Sequence, residues 1–197
     1  MFFFFFSLTI KQLWNNHDGF ISSYFERFNG KWFDTGDSGF KDADGYVHIM
    51  SRSDDIINVA AHRLSTGSIE QVLVSIPGIA EACVVGKPDE QKGHVPLAFV
   101  SFSSGQNGPS FETINKHVRQ EIGAIASLAG VIPITERPIP KTRSGKTLRR
   151  VLRTLVENAV QGKFDQEVPI PPTIEDPLSV ESARAAVKKY FKGTSKL

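Results

Sequence analysis

The stretch Ser65-Thr66-Gly67-Ser68-Ile69-Glu70-Gln71-Val72-Leu73-Val74-Ser75-Ile76-Pro77-Gly78, followed at once by Ala80-Glu81-Ala82-Cys83-Val84-Val85-Gly86, decides the fold class. Ile69, Val72, Leu73 and Ile76 recur at i, i+3, i+4 and i+7, the spacing of one apolar helix face. Ser65 and Thr66 can cap its start, and Pro77-Gly78 stops it. The run that follows reads as a strand. Downstream the same alternation continues. Residues 97–102 read as a second strand and 105–109 as a loop. Phe111, Ile114, Val118 and Ile122 mark a second helix face, and 130–135 a third strand. Pro138 and Pro140 frame a loop ahead of a third helix carrying Leu148, Val151, Leu152 and Leu155. The expected fold class is α/β (α+β): a short central β-sheet flanked by helices. Pro169, Pro171, Pro172 and Pro177 predict an extended strap, closed by a helix over 180–190.

Upstream of Ser53 the text reads as the end of a larger domain. Tyr24-Phe25 and Trp32-Phe33 are aromatic pairs, and Asp42-Ala43-Asp44-Gly45 is a turn between Phe40 and a strand over 46–50. This β-hairpin has too few residues for a core of its own. Left alone, Trp14, Phe20, Tyr24, Phe25 and Trp32 would form an exposed apolar surface. Residues 1–10 carry five phenylalanines after Met1, with no positive charge before the apolar run and no arginine before Arg27. They fit neither a signal nor a transit peptide and read as a spurious or unstructured start. The expected organisation is 1–10, this start; 11–53, the tail of a large domain; 54–165, a compact small domain; and 166–197, strap and terminal helix.

Composition narrows the classes. The 197 residues are 40% hydrophobic and 22% charged, which suits a packed core. Lys+Arg 23 against Asp+Glu 21 leaves +2, too little to argue for nucleic acid. The single cysteine, Cys83, excludes an intrachain disulfide framework and a Cys-rich zinc site. No apolar run reaches the length of a membrane span.

Four clusters can carry chemistry. In Pro140-Lys141-Thr142-Arg143-Ser144-Gly145-Lys146-Thr147, the Gly-Lys-Thr end suggests a phosphate loop. That motif needs a glycine where Pro140 stands, so this is not that cradle. What remains is a cationic Lys146 beside a glycine pivot at a helix start, suited to a carboxylate or phosphate oxygen, or simply a solvated basic terminus. Asp37, in Phe33-Asp34-Thr35-Gly36-Asp37, could accept hydrogen bonds from a ribose diol or belong to an Asx turn. In Ser51-Arg52-Ser53-Asp54-Asp55, Arg52 could meet ribose or phosphate while the aspartates cap a turn. In the stretch from Asn58 to Leu64, Arg63 sits just before a capped helix, where cation and dipole could share an anion. His62 by itself is more often structural.

The order and spacing of these clusters resemble the C-terminal third of AMP-forming acyl-CoA synthetases of the adenylate-forming superfamily, the short-chain acetyl- and propionyl-CoA group above all. The matching text is 31–37, 51–59, His62-Arg63-Leu64, Val118-Arg119-Gln120-Glu121-Ile122-Gly123 and 140–146. Residues 92–97 and 173–177 lean toward the propionyl type. The resemblance implies a C-terminal lid domain, with the hairpin as a remnant of the large N-terminal adenylation domain. It implies ATP, Mg2+ and coenzyme A as cofactors and a short-chain carboxylate as substrate. Lys146 would be catalytic in acyl-adenylate formation. Asp37, Arg52 and Arg63 would bind ATP, and Asp54 would be the hinge. Ala60, Ala61, His62 and Arg119 would meet coenzyme A. Backbone carbonyls of Val74, Ile76 and Ile79 would face a metal cation. Neither nucleic acid nor membrane is implied as a partner, and members work in mitochondria or cytoplasm.

Ser51 and Ala61 depart from the family, which usually has glycine at both places. If the backbone at Ala61 needs a positive φ, alanine costs about 1 kcal/mol there. The family's phosphate loop, adenine pocket and acyl pocket have no counterpart in this text. A non-catalytic remnant that folds as an orphan lid is the alternative. A basic nucleic-acid module using Lys141, Arg143, Lys146, Arg149, Arg150 and Arg153 is a third reading. The three helical arginines would lie opposite the leucines, as on any solvated helix.

Overall fold

The computed structural model describes residues 12–52, 55–103 and 108–194. The phenylalanine-rich start, the hinge candidate Asp54 and most of the loop expected over 105–109 lie outside the described residues. The chain divides into two compact units, 1–56 and 57–197.

In the first unit a helix the sequence reading did not assign, α1 (His17–Tyr24), starts at Asn16, whose side-chain oxygen accepts the Gly19 N–H at 2.9 Å. The helix gathers a small aromatic cluster. Phe20 meets Tyr24 and Phe25, and Phe33 meets the same two, with ring centroids 4.9 to 5.7 Å apart. The expected exposed surface is therefore smaller than the sequence suggested. Phe20 is buried and Tyr24 and Phe25 half-buried, while Trp14 (98%) and Trp32 (41%) stay exposed. The expected hairpin forms from β1 (Asp37–Lys41) and β2 (Val47–Arg52), antiparallel, with a register shift between Ser38 and Gly39. Asp42 builds its turn: one carboxylate oxygen accepts the Tyr46 N–H at 2.8 Å and the other pairs with His48 at 2.8 Å. The hydrogen bond from His48 holds the Asp42 carboxyl below its ordinary range.

The second unit is built on a long hairpin, β5 (Ile79–Asp89) and β6 (Gly93–Phe102), both longer than the sequence reading drew them. Asp89 makes the turn by accepting the Lys92 and Gln91 N–H groups at 2.9 and 3.0 Å, which also holds its carboxyl low. Gly93, at φ +74, takes the left-handed position. The strands alternate strictly. Cys83, Val85, Leu97 and Phe99 point into one core layer, and Val84, Ala98 and Val100 into the other. Both faces are covered, so the strands read as continuous apolar runs. Helix α2 (Thr66–Val74), capped by Ser65 rather than Thr66, and α3 (Phe111–Glu121) fill one layer. Helices α4 (Arg149–Val160) and α5 (Leu178–Thr194) fill the other. Strand β7 (Gly130–Pro133) runs parallel beside β6.

Two short strands were not assigned from sequence: β3 (Ile56–Val59) and β4 (His62–Ser65). They extend the sheet, whose order is β4-β3-β6-β5 with β7 also on β6. Four residues each are too few for a clear period, and the motif reading had claimed them. The turn between them corrects one expectation. The left-handed residue is Ala60 (φ 52), not Ala61. The Ala60 N–H donates to the Lys92 carbonyl at 2.8 Å, tying this turn to the β5–β6 turn.

The tail is part of the second core. Val180, Ala183 and Val187 of α5 are buried against α4 and the sheet. Tyr190, whose hydroxyl donates to the Ala129 carbonyl at 3.3 Å, lies so close to Gly130 that a Cβ there would collide with it.

Among the described residues strand β5 is an edge, paired only with β6. Its exposed backbone at Val84 is closed by side chains from both layers. The Val84 N–H donates to Glu70 of α2 at 2.7 Å, and the Val84 carbonyl accepts from Arg149 of α4 at 3.3 Å. Arg149 and Glu70 join each other by two contacts of 2.6 and 2.7 Å. Arg149 therefore does not stand on a solvated face opposite the leucines. Its side chain is only 15% exposed. This removes one of the six cations from the nucleic-acid reading.

Two outcomes follow. Glu70→Ala should destabilise the chain by about 2–3 kcal/mol in urea unfolding, because it strands both the Val84 N–H and the Arg149 charge. The neighbouring exposed Arg150→Ala should stay within about 0.5 kcal/mol of the parent. Ala60→Gly should raise stability by about 0.5–1 kcal/mol, whereas Ala61→Gly should not. Equal effects at 60 and 61 would show that the left-handed turn is misplaced.

Candidate functional site

In the first unit Asp37 and Arg52 are partners across the open end of the hairpin. The Asp37 N–H donates to the Thr35 hydroxyl at 3.2 Å, and Asp34 accepts the Gly36 N–H at 2.8 Å while pairing with Arg27 at 3.3 Å. Gly36 has φ +71, and a Cβ there would stand 2.7 Å from the Arg52 guanidinium. The glycine thus serves both the turn and the close approach of Arg52. So Asp37, Arg52 and the Asx turn of Asp34 are one local assembly, and the Asx-turn reading of this cluster is what its backbone shows.

In the second unit Ala60 and Ala61 form the β3–β4 turn, and His62 and Arg63 begin β4, all exposed. Burial alternates below them: Ile57, Val59 and Leu64 anchor the hairpin in the α2–α3 layer. Arg119 lies exposed in the last turn of α3. It lines a shallow open depression with Phe111, Asn115, Lys116 and Ala124. Val74 ends α2, Ile76 lies in the turn after it and Ile79 opens β5. The Ile76 carbonyl accepts the Ile79 N–H at 3.2 Å, and an oxygen has a second lone pair left.

Lys146 stands in a tight hairpin-like turn, ahead of α4 rather than at its first residue. Thr142 organises this turn. Its N–H donates to the Lys146 carbonyl at 2.9 Å, and its hydroxyl accepts the Lys146 N–H at 3.1 Å. Its carbonyl accepts the Gly145 N–H at 2.8 Å, and its hydroxyl meets the Ser144 hydroxyl at 2.9 Å. Gly145 takes φ +80. Lys141 at the base is tied to Glu81 of β5 at 2.6 Å. Lys146 itself is exposed and makes no ion pair among the described residues. The sequence reading missed Thr142; a Thr-x-Ser-Gly turn with hydroxyls able to bond nearby amides was the available signal.

The structure thus gathers these residues in separate groups. Asp37 and Arg52 share the first unit. Within the second, the hairpin of Ala60 to Arg63 is rooted in one core layer, and the Lys146 loop, through Ile139 and Ile174, in the other. Among the described residues no three His, Cys, Asp or Glu side chains converge on a metal position. Among the same residues no helix is long and apolar enough to cross a membrane.

Comparison with known proteins follows from this geometry. Residues 68–146 match the family described as the AMP-binding enzyme C-terminal domain. The chain is 42% identical over 180 residues to the bovine (Bos taurus) mitochondrial acyl-CoA synthetase short-chain family member 3, covering 90% of this chain and 25% of that protein. It is 41% identical over 180 residues to the acetyl-coenzyme A synthetase of Pyrobaculum aerophilum, with the same coverage of 90% and 25%. Among solved structures, the amide bond synthetase McbA from Marinactinospora thermotolerans matches with a TM-score of 0.62 and 31% identity, over 76% of this chain and 29% of that one. The chain spans about a quarter of the length of the curated relatives it matches. Over 90% of its length it is similar to the C-terminal regions of acyl-CoA and acetyl-CoA synthetases, and its residues 68–146 match the AMP-binding enzyme C-terminal domain.

Proposed function

We propose that this chain is the C-terminal catalytic part of an ATP-dependent acid–thiol ligase acting on a short-chain carboxylate, acetate or propionate. The carboxylate attacks the α-phosphorus of ATP, giving acyl-AMP and releasing pyrophosphate. The thiol of coenzyme A then attacks the acyl carbon, giving the thioester and releasing AMP. The observation that carries this reading is Lys146, an exposed ammonium without an ion-pair partner among the described residues, on a backbone held from both sides by Thr142. Attack of one anion on another needs positive charge where they meet, and such a fixed cation supplies it.

The other roles follow the same chemistry. Asp37 accepts from the ribose hydroxyls with Arg52 beside it, and Arg63 meets the phosphates of ATP. The Ala60-Ala61-His62 turn borders the pantetheine arm, and Arg119 pairs with a phosphate of coenzyme A. Asp54 is the hinge. The carbonyls of Val74, Ile76 and Ile79 offer a cation site made of backbone oxygen rather than acidic side chains. That the Lys146 loop and the Ala60–Arg63 hairpin are rooted in opposite core layers supports their use in different half-reactions. A large N-terminal adenylation domain is the partner that brings the adenine and acyl pockets. Mitochondria or cytoplasm is the inferred compartment, and the name of the bovine relative supports the first.

The test is acetate- and propionate-dependent pyrophosphate release with ATP. It is run on this chain and on a version extended upstream through an adenylation domain. Activity is expected only in the extended protein. Lys146→Ala should lower it by about a hundredfold or more, while thioester formation from preformed acyl-AMP and coenzyme A persists. An unaffected Lys146→Ala protein would overturn the catalytic role. Inactivity of both parent proteins would favour the non-catalytic orphan lid.

A further inference from the structure

The Lys146 turn is not held by its own residues alone. The chain returns to it from the proline-rich strap. Thr142 forms an antiparallel bridge with Ile174. The Arg143 N–H donates to the Thr173 carbonyl at 3.0 Å, and the Glu175 N–H donates to the Lys141 carbonyl at 3.0 Å. Three consecutive residues of the loop thus lie in a small ladder with three consecutive residues of the strap. Ile174 is buried in the α4–α5 core layer, so the ladder is anchored. Beyond it, Asp176 pairs with Arg137 at 2.7 Å and accepts the Leu178 N–H at 3.0 Å where α5 begins. The strap is fixed just beyond the ladder at Asp176. What the ladder fixes is Thr142, and what Thr142 fixes is the backbone of Lys146.

We propose that Thr142, held by the Thr173–Glu175 strap, is the positioning residue for Lys146. The proposal rests on the catalytic reading of Lys146 and goes beyond it by naming what aims the ammonium. The constraint on the ammonium is entropic. A lysine has four rotatable side-chain bonds, and a turn carrying Gly145 adds backbone freedom. An ammonium on a loose turn samples many positions outside the one where the carboxylate meets the α-phosphate. Thr142 removes the backbone share of that freedom through both the N–H and the carbonyl of Lys146. The side chain itself is exposed. Misplacing a reacting group by an ångström costs on the order of a hundredfold in rate, so the hydroxyl at 142 should show in turnover. Thr142 does not touch substrate in this account and acts only through Lys146.

Thr142→Val keeps size and branching and removes the hydroxyl; Thr142→Ser keeps the hydroxyl. The first readout uses the 197-residue chain and needs no activity. In Thr142→Val, amide hydrogen exchange at Lys146 should rise by about tenfold, the loss of one hydrogen bond, while core amides of β5 and β6 and the urea midpoint stay as in the parent. Thr142→Ser should restore the slow exchange. The second readout uses the protein extended through an adenylation domain. Thr142→Val should lower kcat for pyrophosphate release about tenfold to a hundredfold with KM for ATP and carboxylate unchanged, and should leave thioester formation from acyl-AMP untouched. Ile174→Ala, which loosens the strap, should shift adenylation the same way. Parent-like exchange at Lys146 in Thr142→Val would overturn the proposal. So would an equal fall of both half-reactions, which marks general loosening of the domain. A Lys146→Ala protein that still adenylates would instead sink the catalytic reading, and the exchange result would still decide whether Thr142 holds the turn.

Discussion

Everything in the second unit depends on closing one edge of one strand. Strand β5 carries the sheet's longest antiparallel pairing, and among the described residues its outer side has no strand beside it. An open edge is a place where water or another chain competes for the backbone. Here a carboxylate from α2 takes the Val84 N–H and a guanidinium from α4 takes the Val84 carbonyl. The two groups neutralise each other, one guanidinium nitrogen of Arg149 donating to both carboxylate oxygens of Glu70 in charge-assisted hydrogen bonds. The same contact joins the helices of the two layers around the edge. It thereby sets where α4 begins, and so where the Lys146 loop, which runs into α4, must end.

The two layers then divide the working surface. The β3–β4 hairpin draws its anchors from the α2–α3 side, and the Lys146 loop draws its anchors from the α4–α5 side. Each motif can be held firmly without constraining the other. The rigidity lies in the sheet between them. The strap and α5 belong to this scheme as structural parts. They complete the core on the Lys146 side and return a short backbone ladder to the loop itself.

Much of the fold was legible because burial leaves a period in the sequence. Ile69, Val72 and Leu73 announced α2, and Leu148, Val151, Leu152 and Leu155 announced α4. Strands β5 and β6 were found but drawn short, because their outer ends carry Lys87, Asp89 and His94 and lose the apolar signature. Strands β3 and β4 and helix α1 escaped, being too short for a period to repeat. The candidate site was legible only as separate motifs. Lys146, Arg63 and Asp37 stood out by residue type and neighbours. Thr142 did not, since a threonine that bonds a turn looks like any other in sequence.

The sequence by itself determined the alternation of helix and strand, the likeness to acyl-CoA synthetases, and the residue types at each motif, because those depend on local spacing and on chemistry carried by single side chains. Tertiary structure decided the rest. That Glu70 and Arg149 meet at Val84, that Thr173–Glu175 pairs with Lys141–Arg143, and that Ala60 rather than Ala61 takes the left-handed turn are each set by partners distant in the chain. A hydrogen bond between residues far apart in sequence has no local signature. It exists only once the core has fixed the distance between the elements that carry its donor and acceptor.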